Sequence, residues 1–308
     1  DLMFDLEFYK NKLLEKYKEK NDEEMYERYE HSLNVSKMCV ELIERLHLNI
    51  DIDKAKLTGL IHDYAKFVTR DEYENLILEK SLDTSLIDKP KKIWHAILGR
   101  YVVENELDIH DEEILSAIEF HTTGKENMTP LEEVLFVSDY IEVGRKGITF
   151  ERARELAFVN IKRAICYILD ETIKCVLDRG LPLDPLTTNA YRYYKKYKKL
   201  DGDNKLENVL ECINRNLVKD VMIYDMRERS PLYDYAIVAT SASNKQMQAT
   251  LTYLKEEFTI KGSEVAEGWT LIDLGDIILH IFTEEDRNKY SLDKLYATLP
   301  IVENKIII

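Results

Sequence analysis

The stretch Leu60-Ile-His-Asp-Tyr-Ala-Lys66 sets a histidine and an aspartate side by side within an apolar, helix-like pattern. Neighbouring residues on a helix point about 100° apart, so one backbone segment can present His62 and Asp63 to a single site. Lys66 follows His62 by four positions and Asp63 by three, which places it on the same helical face. Its ammonium could therefore meet a phosphate, although the spacing fits a solvated surface lysine equally well.

Helical spacing of apolar residues continues on both sides of this stretch, from Leu2 to about Lys199. Asp201–Asn204 is a loop signal, and strand-like runs begin after it. We therefore predict a multi-domain protein, with an all-α helical bundle over 1–199, a linker over 200–205 and a small α/β domain with a mixed sheet over 206–308. In the second domain the patterns predict helices over 206–216 and 244–258, and strands over 218–224, 235–239, 269–273 and 276–282.

Composition limits the class of protein. The 308 residues, 45% hydrophobic and 33% charged, suffice for two cores. Acidic residues outnumber basic ones by 8 in residues 1–200 and by 7 in residues 201–308, so neither part has the basic surplus of an autonomous nucleic-acid binder. No apolar run approaches the roughly 20 residues of a membrane span and no signal peptide is evident, so a cytoplasmic location is expected. The first residue, Asp1, is not a methionine, which leaves the native start open.

The four cysteines lie in helix-like apolar patterns and form no Cys-x-x-Cys pair. This arrangement predicts small buried side chains in a reducing compartment. The residues are Cys39, Cys166, Cys175 and Cys212.

Six polar residues fall on the apolar stripes and should point inward. For any one of the four histidines, a hydrogen-bonded core histidine is the commoner explanation. Asp139 is harder to explain in that way, because burial of an unpaired carboxylate is unfavourable unless a cation, donors or a metal compensates it. Four imidazoles and two carboxylates exceed the needs of one tetrahedral zinc and suit two octahedral ions, with iron, manganese and zinc left open. The predicted ligands are His31, His62, Asp63, His95, His121 and Asp139, with Asp63 as the bridge between the ions.

In chain order these residues stand in Arg28-Tyr-Glu-His31, Ile61-His-Asp-Tyr-Ala-Lys66, Trp94-His-Ala-Ile-Leu-Gly99, Phe120-His-Thr-Thr-Gly124 and Val137-Ser-Asp-Tyr-Ile-Glu142. The set resembles the YqeK family of bacterial HD hydrolases over nearly all of residues 1–195. The resemblance implies an HD-domain helical bundle that cleaves diadenosine tetraphosphate symmetrically into two ADP at a di-iron centre. All six ligand positions are filled, so an inactive remnant is not expected.

A mechanism follows as a hypothesis. Two ions would lower the pKa of a water molecule, and the resulting hydroxide would attack an inner phosphorus in line. Lys66 and Arg145 are candidates for stabilising the charge on the phosphate oxygens, although a surface arginine explains Arg145 equally well. Thr122 and Thr123 are candidates for hydrogen bonds to the nucleotide phosphates or to the metal ligands.

The second domain carries its own resemblance. Segments 235–243, 268–276, 280–282 and 290–296 resemble the ribosomal silencing factor family, RsfS or Iojap, over about 205–300. The resemblance implies a nucleotidyltransferase-like fold that binds a large-subunit ribosomal protein and blocks joining of the two subunits. This chain has Ser241 where the family usually has glycine and Tyr296 where it usually has tryptophan. Candidates for the binding face are Trp269, Asp273 and Tyr290.

Simpler explanations compete at three places in the chain. Asp273-Leu-Gly-Asp276 lacks the glycine-serine loop and Asp-x-Asp pair of nucleotidyltransferase chemistry, so we predict a tight turn at Gly275. Trp269 fits a core position as well as an interface anchor. Tyr191–Lys199 mixes aromatic and basic residues that could contact ribosomal RNA, but a solvated helix end is favoured.

Three functions remain open from the sequence. The favoured one joins a dinucleotide hydrolase to a ribosome-binding module. The second is a hydrolase of another phosphoester, such as a deoxynucleotide or a cyclic nucleotide, and the third is an interaction protein with a vestigial hydrolase. Both family resemblances also suggest a homodimer.

Overall fold

The computed structural model describes residues 5–18, 22–198 and 204–306. The chain divides into two compact units, Asp1–Tyr197 and Lys198–Ile308, each of which is described by itself. The predicted linker at 200–205 lies mostly outside the described residues. Within the described ranges, no helix combines the length and the apolar character that crossing a membrane requires.

The first unit is all-α, as predicted. Over the residues that the structure describes, ten helices are joined by loops and two 3-10 turns, Thr84–Asp88 and Lys195–Tyr197. The helices are α1 (Leu6–Tyr17), α2 (Asp22–Arg45), α3 (Ile52–Ile61), α4 (Arg70–Glu79), α5 (Lys91–Leu107), α6 (Glu112–Phe120), α7 (Pro130–Ile141), α8 (Ile148–Ala157), α9 (Ile161–Asp178) and α10 (Pro185–Tyr194).

Local sequence signals fix where three central helices of this unit begin. Thr129 caps α7 and forms a capping box with Glu132, and Pro130 occupies the first helical position. Asp51 and Asp111 accept hydrogen bonds from the first turns of α3 and α6. Each of these helices carries a predicted ligand or ends at one, so the caps set the position of the ligand along the helix axis.

Two glycines allow close helix packing near the predicted ligands. A Cβ on Gly59 would lie 2.8 Å from the Cα of Ser36, so α3 approaches the backbone of α2 as closely as only glycine permits. A Cβ on Gly99 would lie 2.8 Å from Cγ2 of Ile118, so the space that Gly99 leaves is filled by a side chain of α6. The core around these contacts includes Val35, Cys39, Leu57, Leu60, Ile61, Val103, Leu115, Ile118, Val134 and Leu135.

The second unit is α/β, which confirms the predicted class. Its elements are α11 (Lys205–Arg215), β1 (Lys219–Asp225), β2 (Tyr235–Thr240), α12 (Asn244–Glu257), β3 (Gly262–Ala266), β4 (Trp269–Asp273), β5 (Ile277–Phe282), α13 (Glu284–Tyr290), α14 (Leu292–Leu295) and β6 (Ile301–Val302). They form one mixed six-stranded sheet in the order β3-β4-β5-β2-β1-β6. β2 and β5 are parallel, and the other neighbours are antiparallel. All six residues of β5 are buried, the five apolar ones as the strand pattern predicts and His280 with them.

The turn between β4 and β5 has the tight geometry expected at Gly275. The φ of Gly275 is +96°, a backbone conformation that favours glycine. Its N–H donates to Oδ1 of Asp273 at 2.9 Å. Asp273 therefore stabilises the turn as well as ending β4.

Other features differ from the sequence-based picture. β3 and β6 were not predicted, because every residue of β3 is exposed at the sheet edge and β6 has only two residues. Cys175 is exposed, which corrects its prediction as buried, whereas the other three cysteines are buried. The basic aromatic segment forms the end of α10 and the turn after it, with the Lys196 ammonium 3.9 Å above the Tyr193 ring. Lys199 lies outside the described residues.

We expect Gly59→Ala to destabilise the helical unit, because its new Cβ would meet backbone that can move only if α2 and α3 separate. Overpacking of this kind lowers the free energy of unfolding by about 1–3 kcal/mol. Gly99→Ala is the matched control, since its Cβ meets only the movable Ile118 side chain and the gain in helix propensity, about 1 kcal/mol, offsets the strain. Denaturant unfolding of the full chain followed by circular dichroism measures both. Equal stability of the two variants would contradict this account.

Candidate metal centre and its cleft

The six predicted ligands converge at the centre of the helical unit. His31 comes from α2, His95 from α5 and Asp139 from α7, while the other three follow the ends of α3 and α6. Five of the six residues are buried, and the side chain of Asp139 is 22% exposed. Three overlapping groups have ligand atoms within 4.8 Å of one another, and we call the six residues the ligand cluster. The groups are His31, His62 and Asp63; His62, His121 and Asp139; and Asp63, His95 and His121.

Asp63 divides the imidazoles into two pairs. Its Oδ1 lies 3.2 Å from Nε2 of His95 and 3.3 Å from Nε2 of His121. Its Oδ2 lies 3.5 Å from Nε2 of His62 and 3.7 Å from Nε2 of His31. Each carboxylate oxygen therefore faces its own pair of nitrogens, which is the arrangement that a carboxylate bridging two ions would have.

The backbone at Asp63 differs from the helix that the sequence suggested. α3 ends at Ile61, His62 is its C-cap, and the following residues form turns in which the N–H of Lys66 donates to the carbonyl of Asp63 at 2.9 Å. Tyr17, fully buried on α1, donates its hydroxyl to the same carbonyl at 2.6 Å. His62 and Asp63 thus reach the site from a helix end, and Lys66 does not share a helical face with them.

Hydrogen bonds at Nδ1 orient three of the four rings. His62 and His121 donate to the carbonyls of Gly59 and Ile118, both at 2.6 Å. Nδ1 of His31 lies 3.3 Å from Oε1 of Glu142. Because a carbonyl can only accept, the proton of each neutral ring at these carbonyls sits on Nδ1, and the Nε2 lone pair is directed to the cluster.

Unpaired polar atoms at the centre fit a bound cation. Nε2 of His31, His62 and His121 and Oδ1 of Asp63 are buried, and none has a partner with hydrogen-bond geometry among the described residues. Buried polar atoms are rarely left in this state. Nitrogen and oxygen lone pairs directed at a common space suit divalent ions, so these residues fit a metal site.

Electrostatics keeps the two carboxylates ionised. Burial alone would raise the pKa of Asp63 and of Asp139, but the surrounding imidazoles outweigh it and hold both well below the usual range. Burial alone would lower the pKa of His31, but the carboxylates of Asp139 and Glu142 raise it to about 9. The cluster therefore presents anionic oxygens at neutral pH, as ion ligands must.

A cleft of about 300 Å³ opens onto the ligand cluster. Both basic and apolar side chains line it, a combination that suits a phosphate chain attached to an aromatic base. The basic residues are Arg28, Lys66, Lys92 and Arg145, and the apolar ones include Phe136, Tyr140, Ile168, Val176 and Leu183.

The four candidate phosphate-binding side chains all line the cleft, but they differ in whether their donor groups are already hydrogen-bonded. Nη2 of Arg145 is 3.9 Å from Oδ1 of Asp139, and Lys66 lines the wall. The hydroxyl of Thr122 is buried without a partner in the described part of the chain. Thr123 instead donates to the carbonyl of Gly124 at 2.9 Å, so its proton is not available to a substrate.

Arg28 is a cleft residue that the sequence analysis did not single out. Its Nη1 lies 3.5 Å from Oδ2 of Asp63. It precedes His31 by three positions on α2, one turn away on the same face. This three-residue spacing from His31 is the sequence feature that could have identified Arg28 as a residue of the site.

The binding-face candidates of the α/β unit are not all neighbours. Trp269 is half-buried: its ring lies 5.0 Å from that of Phe282 and 5.1 Å from that of Tyr290, and its indole N–H donates to Nδ1 of His280 at 3.3 Å. Burial lowers the pKa of His280 to about 4, so this acceptor is neutral at pH 7. Asp273 lies at the other end of β4, where Tyr233 donates to its Oδ2 at 3.1 Å. We call Trp269, His280, Phe282, Tyr290 and Tyr296 the aromatic face.

Comparison with known proteins separates the chain in the same way. Residues 28–144 match the HD domain family, and residues 200–307 match the family described as ribosomal silencing factor during starvation. The symmetrical bis(5'-nucleosyl)-tetraphosphatase of Bacillus subtilis (strain 168) is 34% identical over 166 residues, which is 54% of this chain and 88% of that protein. The ribosomal silencing factor RsfS of the same organism is 33% identical over 92 residues, 28% of this chain and 78% of that protein.

A solved structure resembles the helical unit. It is the crystal structure of a "predicted HD superfamily hydrolase involved in NAD metabolism" from Clostridium acetobutylicum. It is 32% identical, has a TM-score of 0.56, and the match covers 63% of this chain and 98% of that one.

We expect Asp63→Asn to lose bound metal, because an amide offers one neutral oxygen where the carboxylate offers two charged ones to two pairs of imidazoles. After loading and gel filtration, elemental analysis should find about half or less of the wild-type metal per chain. Asp108→Asn is the control, since that carboxylate is 93% exposed and lies outside the cluster. A full metal complement in Asp63→Asn would contradict the bridging role.

Proposed function

We propose a function for each unit on the basis of its family. The helical unit belongs to the symmetrical bis(5'-nucleosyl)-tetraphosphatases of the HD type, and the α/β unit belongs to the ribosomal silencing factors. The helical unit hydrolyses diadenosine tetraphosphate to two ADP. The α/β unit binds the large ribosomal subunit, which would place the chain in the cytoplasm. The boundary between these functions is the predicted linker at 200–205.

The division of the imidazoles by Asp63 is the observation that supports the hydrolase proposal most directly. His95 and His121 with Oδ1 would hold one ion, and His31 and His62 with Oδ2 and Asp139 would hold the other. Two such ions supply Lewis acidity and an activated water for attack on phosphorus. Iron is the ion we favour, and the nitrogen and oxygen donors also accept manganese or zinc.

The protein's own groups would position the substrate. Arg145 and Lys66 bind the phosphate oxygens, and their charge stabilises the oxygens on which negative charge accumulates in the transition state. Thr122 donates its free hydroxyl to a phosphate. One adenine packs on the apolar residues of the cleft. Its position determines which phosphorus atom of the chain reaches the ligand cluster, and therefore that ADP is the product.

The test is incubation of metal-loaded full-length protein with diadenosine tetraphosphate, with the products separated by ion-exchange chromatography. We expect ADP as the only nucleotide product, because cleavage between the two inner phosphates leaves two identical halves. Asp63→Asn, prepared in the same way, controls for a contaminating phosphatase.

Three results would count against this proposal. ATP and AMP in equal amounts would mean asymmetric cleavage. Turnover of a deoxynucleotide or a cyclic nucleotide in place of diadenosine tetraphosphate would favour the second function from the sequence, and metal binding without turnover of any of them would favour a vestigial hydrolase.

The aromatic face supports the second half of the proposal. Tyr290 is 49% exposed and packs on Trp269, whose indole is fixed by its hydrogen bond to His280. Aromatic side chains held in one orientation lose little entropy on binding and are frequent anchors of protein interfaces. A large-subunit ribosomal protein is the partner that we propose for this face.

We expect Tyr290→Ala to weaken binding to purified large ribosomal subunits by about tenfold or more, as loss of an interface anchor does. Co-sedimentation of the full chain with the subunits measures this. Val265→Ala, 52% exposed on β3 at the sheet edge, should bind like the wild type. Undiminished binding by Tyr290→Ala would move the interface elsewhere.

A further inference from the structure

The loop after α7 contains a carboxylate that touches the ligand cluster without belonging to it. Glu142 is 3% exposed, and its Oε1 lies 3.3 Å from Nδ1 of His31. Its Oε2 accepts the backbone N–H of Gly144 at 2.6 Å. The carboxylate thus connects the ring of His31 to the backbone of the loop.

His31 needs such a partner for a reason that its place in the fold supplies. His62 and His121 are helix C-caps, and each donates to a carbonyl three residues earlier, in the last turn of its helix, where carbonyls are not all occupied by the i+4 hydrogen bonds of the helix interior. His31 lies in the interior of α2, where the carbonyls accept helical hydrogen bonds. An acceptor for its Nδ1 must therefore come from another element.

Gly144 is the residue that allows Glu142 to fold back in this way. A Cβ on Gly144 would lie 2.8 Å from Oε1 and 2.9 Å from Oε2 of Glu142. Gly144 is exposed, so core packing does not demand glycine, and its φ is not positive, so the turn does not demand it either. Because Gly144 has no side chain, the Glu142 carboxylate can occupy the space where a Cβ would lie.

Arg154, on α8, fixes the path of the same loop. Its Nε donates to the carbonyl of Ile141 at 2.9 Å, and its Nη2 donates to those of Glu142 and Arg145, both at 3.1 Å. One planar guanidinium thus binds three carbonyls at the end of α7 and in the loop after it. The loop starts three residues after Asp139 and leads Arg145 to the cleft.

We propose that Glu142 is a positioning residue that orients His31 toward the ions, and that Gly144 and Arg154 hold Glu142 in place. The inference rests on the proposed function, because His31 acts there as an ion ligand. In the neutral form of the ring, which an ion ligand must adopt, the Nδ1 proton is donated to Glu142 and the Nε2 lone pair is directed to the space shared with Asp63 and Asp139.

Calorimetric titration of Mn²⁺ into ion-free full-length protein tests this without relying on turnover. Glu142→Ala should weaken Mn²⁺ binding by about 10–100-fold, the usual effect of removing a partner of a metal-binding histidine. Glu142→Gln should stay within about tenfold of the wild type, since its amide oxygen still accepts from His31. Arg154→Lys, which replaces the fork with a single ammonium, should show a smaller loss than Glu142→Ala.

Gly144→Ala is the sharper variant, because it keeps every atom of Glu142 and only displaces the carboxylate. It should weaken Mn²⁺ binding in the same direction as Glu142→Ala. Val143→Ala, 53% exposed in the same loop, is the matched control and should bind like the wild type. Thermal unfolding of each variant separates a change at the ions from a loss of fold.

Wild-type Mn²⁺ affinity in both Glu142→Ala and Gly144→Ala would overturn the inference. If Glu142→Ala does not fold, the Mn²⁺ affinity of Gly144→Ala, a variant at an exposed position, tests the inference by itself. A wild-type chain that binds Mn²⁺ but does not cleave diadenosine tetraphosphate would defeat the proposed function and leave this inference standing. A wild-type chain that binds neither Mn²⁺ nor Fe²⁺ would overturn both.

Discussion

The carboxylate of Asp63 lies buried among four imidazoles, and much of the geometry of the helical unit serves to surround it. Removing a carboxylate from water is unfavourable unless opposite charge or donors replace the lost hydration. The ring nitrogens that supply this replacement come from α2, α5 and the ends of α3 and α6. No local segment can complete the cluster alone, so the site forms only when these helices have packed. The site therefore depends on features outside it. The N-terminal caps of α3 and α6 and the close contact at Gly59 help to position the ligands.

Sequence periodicity was sufficient for the fold class and for the set of polar residues that converge, because a histidine on an apolar stripe must point where its neighbours point. It was not sufficient for the end of α3, since no glycine or proline marks it and the His62 ring itself binds a carbonyl of the last turn. The contact between Glu142 and Gly144 could not be predicted from the sequence either, because it forms only when the Glu142 side chain folds back on its own loop. In the α/β unit, β3 escaped prediction because strand alternation reports burial on one face, and β3 has none.

The two units use polar groups in opposite ways. The helical unit buries charged and titratable side chains, and several of their atoms have no hydrogen-bond partner among the residues that the structure describes, a state that is unfavourable in the absence of a ligand. The α/β unit pairs its buried histidine with a tryptophan, keeps it neutral, and leaves an aromatic ring partly exposed beside them. The first arrangement suits small charged ligands and the second suits a protein surface.

The hydrogen bonds from His62 and His121 to the carbonyls of Gly59 and Ile118 join protein to protein and involve no ion. These two rings are therefore held in orientation without an ion, so ion binding would not require them to be repositioned. Which ion would occupy such a scaffold then depends on the surrounding pool: copper and zinc bind nitrogen ligands more strongly than iron or manganese, so iron would be taken up only where it is the available ion. The metal content of this protein would consequently record the metal supply of the cell that made it.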